Sequence, residues 1–110
     1  MCVLVFYVPQ SHLQEVKQAV FESGAGVMGN YDSCCFQTLG TGQFRPLVGS
    51  SPFIGEVSVL AQEPEWRVEL VVDEEHAVLA VKALLESHPY EVPAYHLIPV
   101  LTLEGVDFSN

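Results

Sequence analysis

Basic residues are scarce. Lys17, Arg45, Arg67 and Lys82 stand against 14 acidic residues, for a formal net charge of −10. Nucleic-acid binding draws on clustered Lys and Arg that displace counterions from phosphates, and these four cations form no cluster in sequence. Anionic membranes are disfavoured on the same ground. Long apolar runs are lacking as well. The run Val3 to Val8 is too short to span a bilayer, and no basic segment precedes it as in a secretory signal. Metal-ligand spacing is also absent: three Cys and four His are present, with no C-x-x-C or H-x-x-x-H. An odd cysteine count with Cys34 and Cys35 adjacent makes a poor disulfide framework. The expectation is a reduced, cytoplasmic, soluble protein.

What the chain does have is apolar residues. Of its 110 residues 49% are hydrophobic and only 16% charged, which excludes a disordered protein. The length fits a single domain over 1–110. One core of this size hides only part of that apolar content, and self-association into a dimer or trimer is the simplest outlet.

The pattern along the chain reads as six elements. Cys2 to Val8 is apolar and β-branched, as in a central strand buried on both faces. Ser11 and Gln14 are spaced as a capping box, and Leu13, Val16 and Val20 recur at helical spacing until Gly24 and Gly26. Tyr31 to Leu39 reads as a second strand. Glu65 to Val72 alternates, with Trp66, Val68, Leu70 and Val72 on one side and Glu65, Arg67 and Glu69 on the other. Asp73 caps a second helix carrying Val78, Val81 and Leu85. Tyr95 to Leu103 forms a last strand with an edge or bend at Pro99. Residues 104–110 read as a short C-terminal tail.

A shift of 64 positions superposes Val8 on Val72, His12 on His76, Ala19 on Ala83, Glu22 on Glu86 and Ser23 on Ser87. Two copies of a split βαβ unit fit this repeat. The fold class is α+β: a ferredoxin-like βαββαβ sandwich, with a four-stranded antiparallel sheet and two helices on one face. The other sheet face is left to pack on a second copy.

Between the second and third strands lies a long Gly/Pro-rich connection, 40–55, reading GTGQFRPLVGSSPFIG. Connections of this length are functional or disordered, and Phe44, Leu47, Val48, Phe53 and Ile54 make this one too apolar for disorder.

The runs GNYDSCCF (Gly29 to Phe36), GTGQFRP (Gly40 to Pro46), PFIGEV (Pro52 to Val57) and HPYEVPAY (His88 to Tyr95) closely resemble the PII-like insert domain of YqfO-type proteins. Those are the Nif-three-like family, often labelled GTP cyclohydrolase type 2 homologues. The HPYEVP segment is also similar to one in CutA, the divalent-ion tolerance protein. The resemblance covers nearly the whole chain and implies a stand-alone domain of PII/CutA type. It places the family's two-metal site in a flanking domain, so neither that site nor hydrolase activity carries over to these residues. It makes a CutA-like trimer an option. PII proteins bind nucleotides through basic loops, and the comparable connection here holds one cation, Arg45.

Two groups of candidate site residues follow. Gly40, Thr41, Gly42 and Arg45 can hold an anion against exposed N–H groups, or the glycines can simply shape a β-excursion whose Phe44 and Phe53 plug an interface. His88, Tyr90, Glu91 and Tyr95 follow the second helix on a proline-fixed turn. They can bind a ligand, with His88 as the metal candidate, or His88 can merely cap the helix. Asn30 and Asp32 complete the set if all of these residues face one cleft.

The leading expectation is a non-catalytic, homo-oligomeric module that binds a small molecule or a protein and needs no cofactor. The alternative is a CutA-like protein binding a divalent metal. A second alternative is a small enzyme whose site joins the 40–55 connection to the HPYE turn.

Overall fold

In the computed structural model, which describes residues 1–103, six main elements follow in the expected order. They are β1 (Cys2–Pro9), α1 (Leu13–Glu22), β2 (Phe36–Phe44), β3 (Ala61–Val72), α2 (Glu74–Ser87) and β4 (Tyr95–Pro99), with one 3₁₀ turn, Gln10–His12, between β1 and α1. The strands form one sheet in the order β2-β3-β1-β4, antiparallel throughout. The expected tail, 104–110, lies outside the described residues.

Alternation divides the sheet into two faces. Leu4, Phe6 and Val8 of β1 and Val68, Leu70 and Val72 of β3 share one face and are buried. Leu13, Val16 and Val20 of α1 and Ala80 and Leu84 of α2 pack on them to form a single core. Phe6, Leu4, Leu84 and Val16 are fully buried. At roughly 25 cal/mol per Å² of apolar area removed from water, such side chains are the main source of stability.

The repeat has a structural meaning. Ser23 and Ser87 close their helices alike, each hydroxyl donating to the carbonyl three residues before it, Val20 O and Leu84 O, with Ser87 also reaching Ala83 O. Asp73 caps α2 as expected, accepting from the His76 N–H at 2.9 Å. The first helix departs from expectation. Ser11 makes no capping bond to the backbone, because its hydroxyl pairs with His12 Nδ1 at 2.8 Å and the chain enters α1 through the 3₁₀ turn instead.

The buried stripe of α2 also differs. Ala80 and Leu84 are buried, with Ala77 and Val81 partly so, whereas Val78 and Leu85 are exposed. Small alanines on the inner face contribute little to apolar periodicity, so the larger outward residues dominate the sequence pattern.

Strand boundaries move for identifiable reasons. Met28 and Tyr31 exchange both backbone hydrogen bonds across a turn at Gly29 and Asn30, and Ser33 turns the chain again at φ 56°. This delays β2 to Phe36. At its far end β2 continues through Gly40, Thr41, Gly42, Gln43 and Phe44, which pair with Glu65 through Ala61. The connection is therefore 45–60 and not 40–55. Pro64 is tolerated in β3 because β1 has already ended, at Pro9 opposite Glu65, and asks no hydrogen bond of it. β4 ends at Pro99, opposite Cys2, with one further bond from the Val100 N–H to Met1 O at the chain's start.

Beyond β1, then, the β2–β3 ribbon runs on alone and carries the connection at its tip. The helix-free sheet face is mixed. Val3, Val71, Ile98 and Phe36 make one end apolar, with Phe36 66% exposed, and Thr38, Glu65, Arg67 and Glu69 make the rest polar.

Candidate functional site

The connection is ordered by its own turns. Ser50 N–H and its hydroxyl both donate to Leu47 O, and Ser58 N–H donates to Pro46 O at 2.6 Å, closing the loop at its base. Gly49 and Gly55 hold positive φ, 98° and 96°, where side chains are disfavoured. The loop then folds back on the turn after α2. Ser51 N–H donates to the Glu91 carboxylate at 2.9 Å. The Phe53 ring meets His12 edge-on, with centroids 5.4 Å apart, and lies 6.3 Å from Tyr90. Phe44 reaches Tyr90 from the ribbon, at 6.2 Å.

Between them lies a cavity of about 350 Å³. Its walls are mostly apolar: Phe44, Pro46, Pro52, Phe53, Ile54 and Tyr90. Arg45 and Glu91 supply its charges. Arg45 has no ion-pair partner among the described residues, while Arg67 is paired with Glu69 at 3.4 Å.

His88 anchors the turn from behind. It is 7% exposed and ends α2, its N–H donating to Leu84 O. Nε2 lies 2.7 Å from Tyr7 O, and Nδ1 accepts the Tyr90 N–H at 3.1 Å. A carbonyl on one side and an N–H on the other select the neutral Nε2–H tautomer. Burial pushes the His88 pKa down, the Tyr7 bond and the Glu65 charge oppose this, and His12 adds to the lowering. Both ring nitrogens are engaged, so His88 offers no free lone pair to a metal here.

Tyr90 draws in Glu65, which the alternation along the strand placed on the side away from the apolar residues. The phenol oxygen is buried without a hydrogen bond of good geometry. Its pKa is raised, first by burial and then by the neighbouring Glu65 carboxylate. That carboxylate lies over Gly42, where a Cβ would overlap it. Gly42 thus makes room for Glu65, and Glu65 links the GTG segment to the HPYE turn. The link depends on the pairing of Gly40 with Glu65, which no local pattern reveals.

Only some of the expected residues meet. Arg45, Tyr90 and Glu91 line the cavity, and His88 supports it. Gly40, Thr41 and Gly42 border a second hollow, of about 330 Å³, on the helix-free face with Tyr7, Thr38 and Arg67. Tyr95 pairs with Phe6 and packs on the core. Asn30 and Asp32 sit at the other end of β3, where Gly26 N–H donates to Val71 O and Cys34 N–H to Gly26 O. From Glu65 to Val71 is about 20 Å of strand, so Asp32 does not converge with Arg45, His88 and Glu91 as an enzyme site would require.

Among the described residues one group has the closeness of metal ligands, Asp73, Glu75 and His76, with ligand atoms within 4.8 Å of one another. Asp73 is already committed there, capping α2 and bonding His76 Nδ1 at 2.6 Å. The cysteines Cys2, Cys34 and Cys35 are free thiols, and no described helix is long and apolar enough to cross a membrane.

No family model matches the chain. It is 43% identical over 97 residues to a GTP cyclohydrolase 1 type 2 homolog of Halalkalibacterium halodurans, covering 88% of this chain and 26% of that protein. The homolog from Bacillus subtilis is 41% identical with the same coverage, 88% and 26%. The chain therefore spans about a quarter of the length of these curated relatives. Among solved structures, a Bacillus cereus protein related to NIF3 superposes with a TM-score of 0.78 at 34% identity, over 90% of this chain and 25% of that one. The PII-like protein CutA from Nostoc superposes with a TM-score of 0.64 at 17% identity, over 91% and 81%, a likeness of fold. Over nearly its whole length, the chain is thus similar to one quarter-length segment of the GTP cyclohydrolase 1 type 2 homologs of the Nif3/YqfO type, and its fold is of the PII/CutA kind.

Proposed function

We propose that the chain is a non-catalytic, homo-oligomeric module of PII/CutA type that binds a small ligand in the cavity between the 45–60 connection and the HPYE turn, and that it works in the cytoplasm. The observation that carries this reading is the return of the connection onto Tyr90 and Glu91. A 16-residue loop that merely joined two strands would have no reason to bring Phe53 and Ser51 back to a turn some 40 positions away. A cavity near the low end of the range for small-molecule sites, apolar with a few polar groups, is the form such sites take. No cofactor enters this reading.

Self-association is argued from the exposed apolar end of the helix-free face, where Phe36 and Ile98 stand 66% and 43% exposed. Burying them against a second copy removes from water what one core leaves out. Light scattering after size exclusion is expected to give a dimer or trimer. Phe36→Asp is expected to dissociate it without unfolding it. A wild-type monomer at micromolar concentration would overturn the oligomer.

A further inference from the structure

Resting on that reading of the cavity, we infer the class of its ligand: a small monocarboxylate with an apolar aromatic body, its ring against the Phe44, Phe53 and Tyr90 wall and its carboxylate on Arg45. The argument begins from the charges. In a chain of net charge −10, with more than three acids for each base, cations are expected to be paired. Arg67 is, with Glu69; Lys17 donates to the neutral Gln37 Oε1 at 2.9 Å; Lys82, like Arg45, has no partner among the described residues, but of these two it is Arg45 that lines the cavity. Arg45 is held by neither an acid nor an acceptor among the described residues, yet it borders the cavity. A guanidinium left free at an apolar mouth fits one planar carboxylate in a forked pair.

The same geometry excludes richer anions. A di- or triphosphate needs several cations or a nest of N–H groups, and the lining holds one Arg beside the Glu91 carboxylate. Glu91 is already fixed by the Ser51 N–H and opposes any second negative charge. The walls set the rest of the class. Phe44 and Phe53 both pack on Tyr90, at 6.2 and 6.3 Å and tilted 51° and 50°, so the lining offers one continuous aromatic surface to an apolar body. Pro46 and Pro52 stiffen the rim. A volume of about 350 Å³ suits a single ring with a short side arm rather than a nucleoside with its phosphates.

The test titrates the whole chain with four probes: phenylacetate, its neutral isostere 2-phenylethanol, its cationic isostere 2-phenylethylamine, and ADP. Binding is read by calorimetry and by amide shifts at Phe44, Phe53 and Tyr90. Phenylacetate is expected to bind tightest, with shifts confined to those residues. Arg45→Gln is expected to weaken phenylacetate by about tenfold or more and to leave 2-phenylethanol unchanged. Phe53→Ala is expected to weaken both, and an unchanged circular dichroism melt identifies it as folded. Tighter binding of 2-phenylethylamine or of ADP at the same residues, or phenylacetate binding indifferent to Arg45→Gln, overturns the carboxylate class and leaves the ligand site standing. No shift at those residues with any of the four probes overturns both.

Discussion

The block in which β1 lies between β3 and β4 and the arm beyond it, residues 41–64, are held together by different forces. In the block, Leu4, Phe6, Val68 and Leu84 are buried in a continuous core. In the arm, order comes from a ribbon ladder, a few loop hydrogen bonds and one set of rings around Tyr90. Burial over a large area is hard to disturb at one point, while a loop tethered by a handful of contacts is easily released. The proposed binding residues therefore sit on the arm and on the turn facing it, and the block serves as their support.

The largest effect is expected in the block. Leu84→Ala removes a fully buried side chain between α2 and the sheet, and should cost about 2–5 kcal/mol of global stability in urea unfolding. An effect below about 1 kcal/mol would mean that the core does not carry the fold as described.

A middle-sized effect is expected at the junction, His88. His88→Ala leaves the buried Tyr7 carbonyl and the Tyr90 N–H without their partners, and should cost about 1–3 kcal/mol. The loss should depend on pH. The folded pKa of His88 lies below its ordinary 6.5, so on acidification the unfolded chain takes up this proton before the folded one does. The wild-type advantage over the variant is thus full above pH 6.5 and shrinks as pH falls from there toward the folded value. His76 runs the other way, since Asp73 raises its pKa, but it is present in both proteins and cancels in the difference. A gap that widens on acidification would mean that folding favours the imidazolium, which cannot accept the Tyr90 N–H, and would overturn the neutral state assigned to His88.

The smallest effect is expected in the arm. Gly42→Ala places a methyl where the Glu65 carboxylate lies, and the end of that flexible side chain can swing aside. Stability should change by less than about 1 kcal/mol. The specific readout is the Tyr90 phenol, whose raised pKa should fall toward 10.0 as Glu65 leaves it. An unmoved Tyr90 titration would separate the GTG segment from the HPYE turn.

Legibility in the sequence divided along the same line. Much of the core was readable because Leu13, Val16 and Val20 follow the helical period, β1 is a continuous apolar run and β3 alternates. The second helix was read one stripe off, because Ala77 and Ala80 face inward while Val78 and Leu85 do not. At the base of the arm, Gly40 and Gly42 suggested a loop where β3 supplies each with a partner, Glu65 and Glu63. The candidate site was half legible: Arg45, Tyr90 and Glu91 do share a cavity, Asn30 and Asp32 lie elsewhere, and Glu65 was overlooked.

By itself the sequence determined the element order, the duplicated half-unit, the shared core and the kinship with a segment of a larger family, because periodicity and motif strings are local and survive reading in one dimension. Only the tertiary structure decided which motifs meet. Strand register and the return path of a loop are long-range choices, made by cross-strand pairing and by the few contacts that join Ser51, Phe53, Tyr90 and Glu91 across the fold.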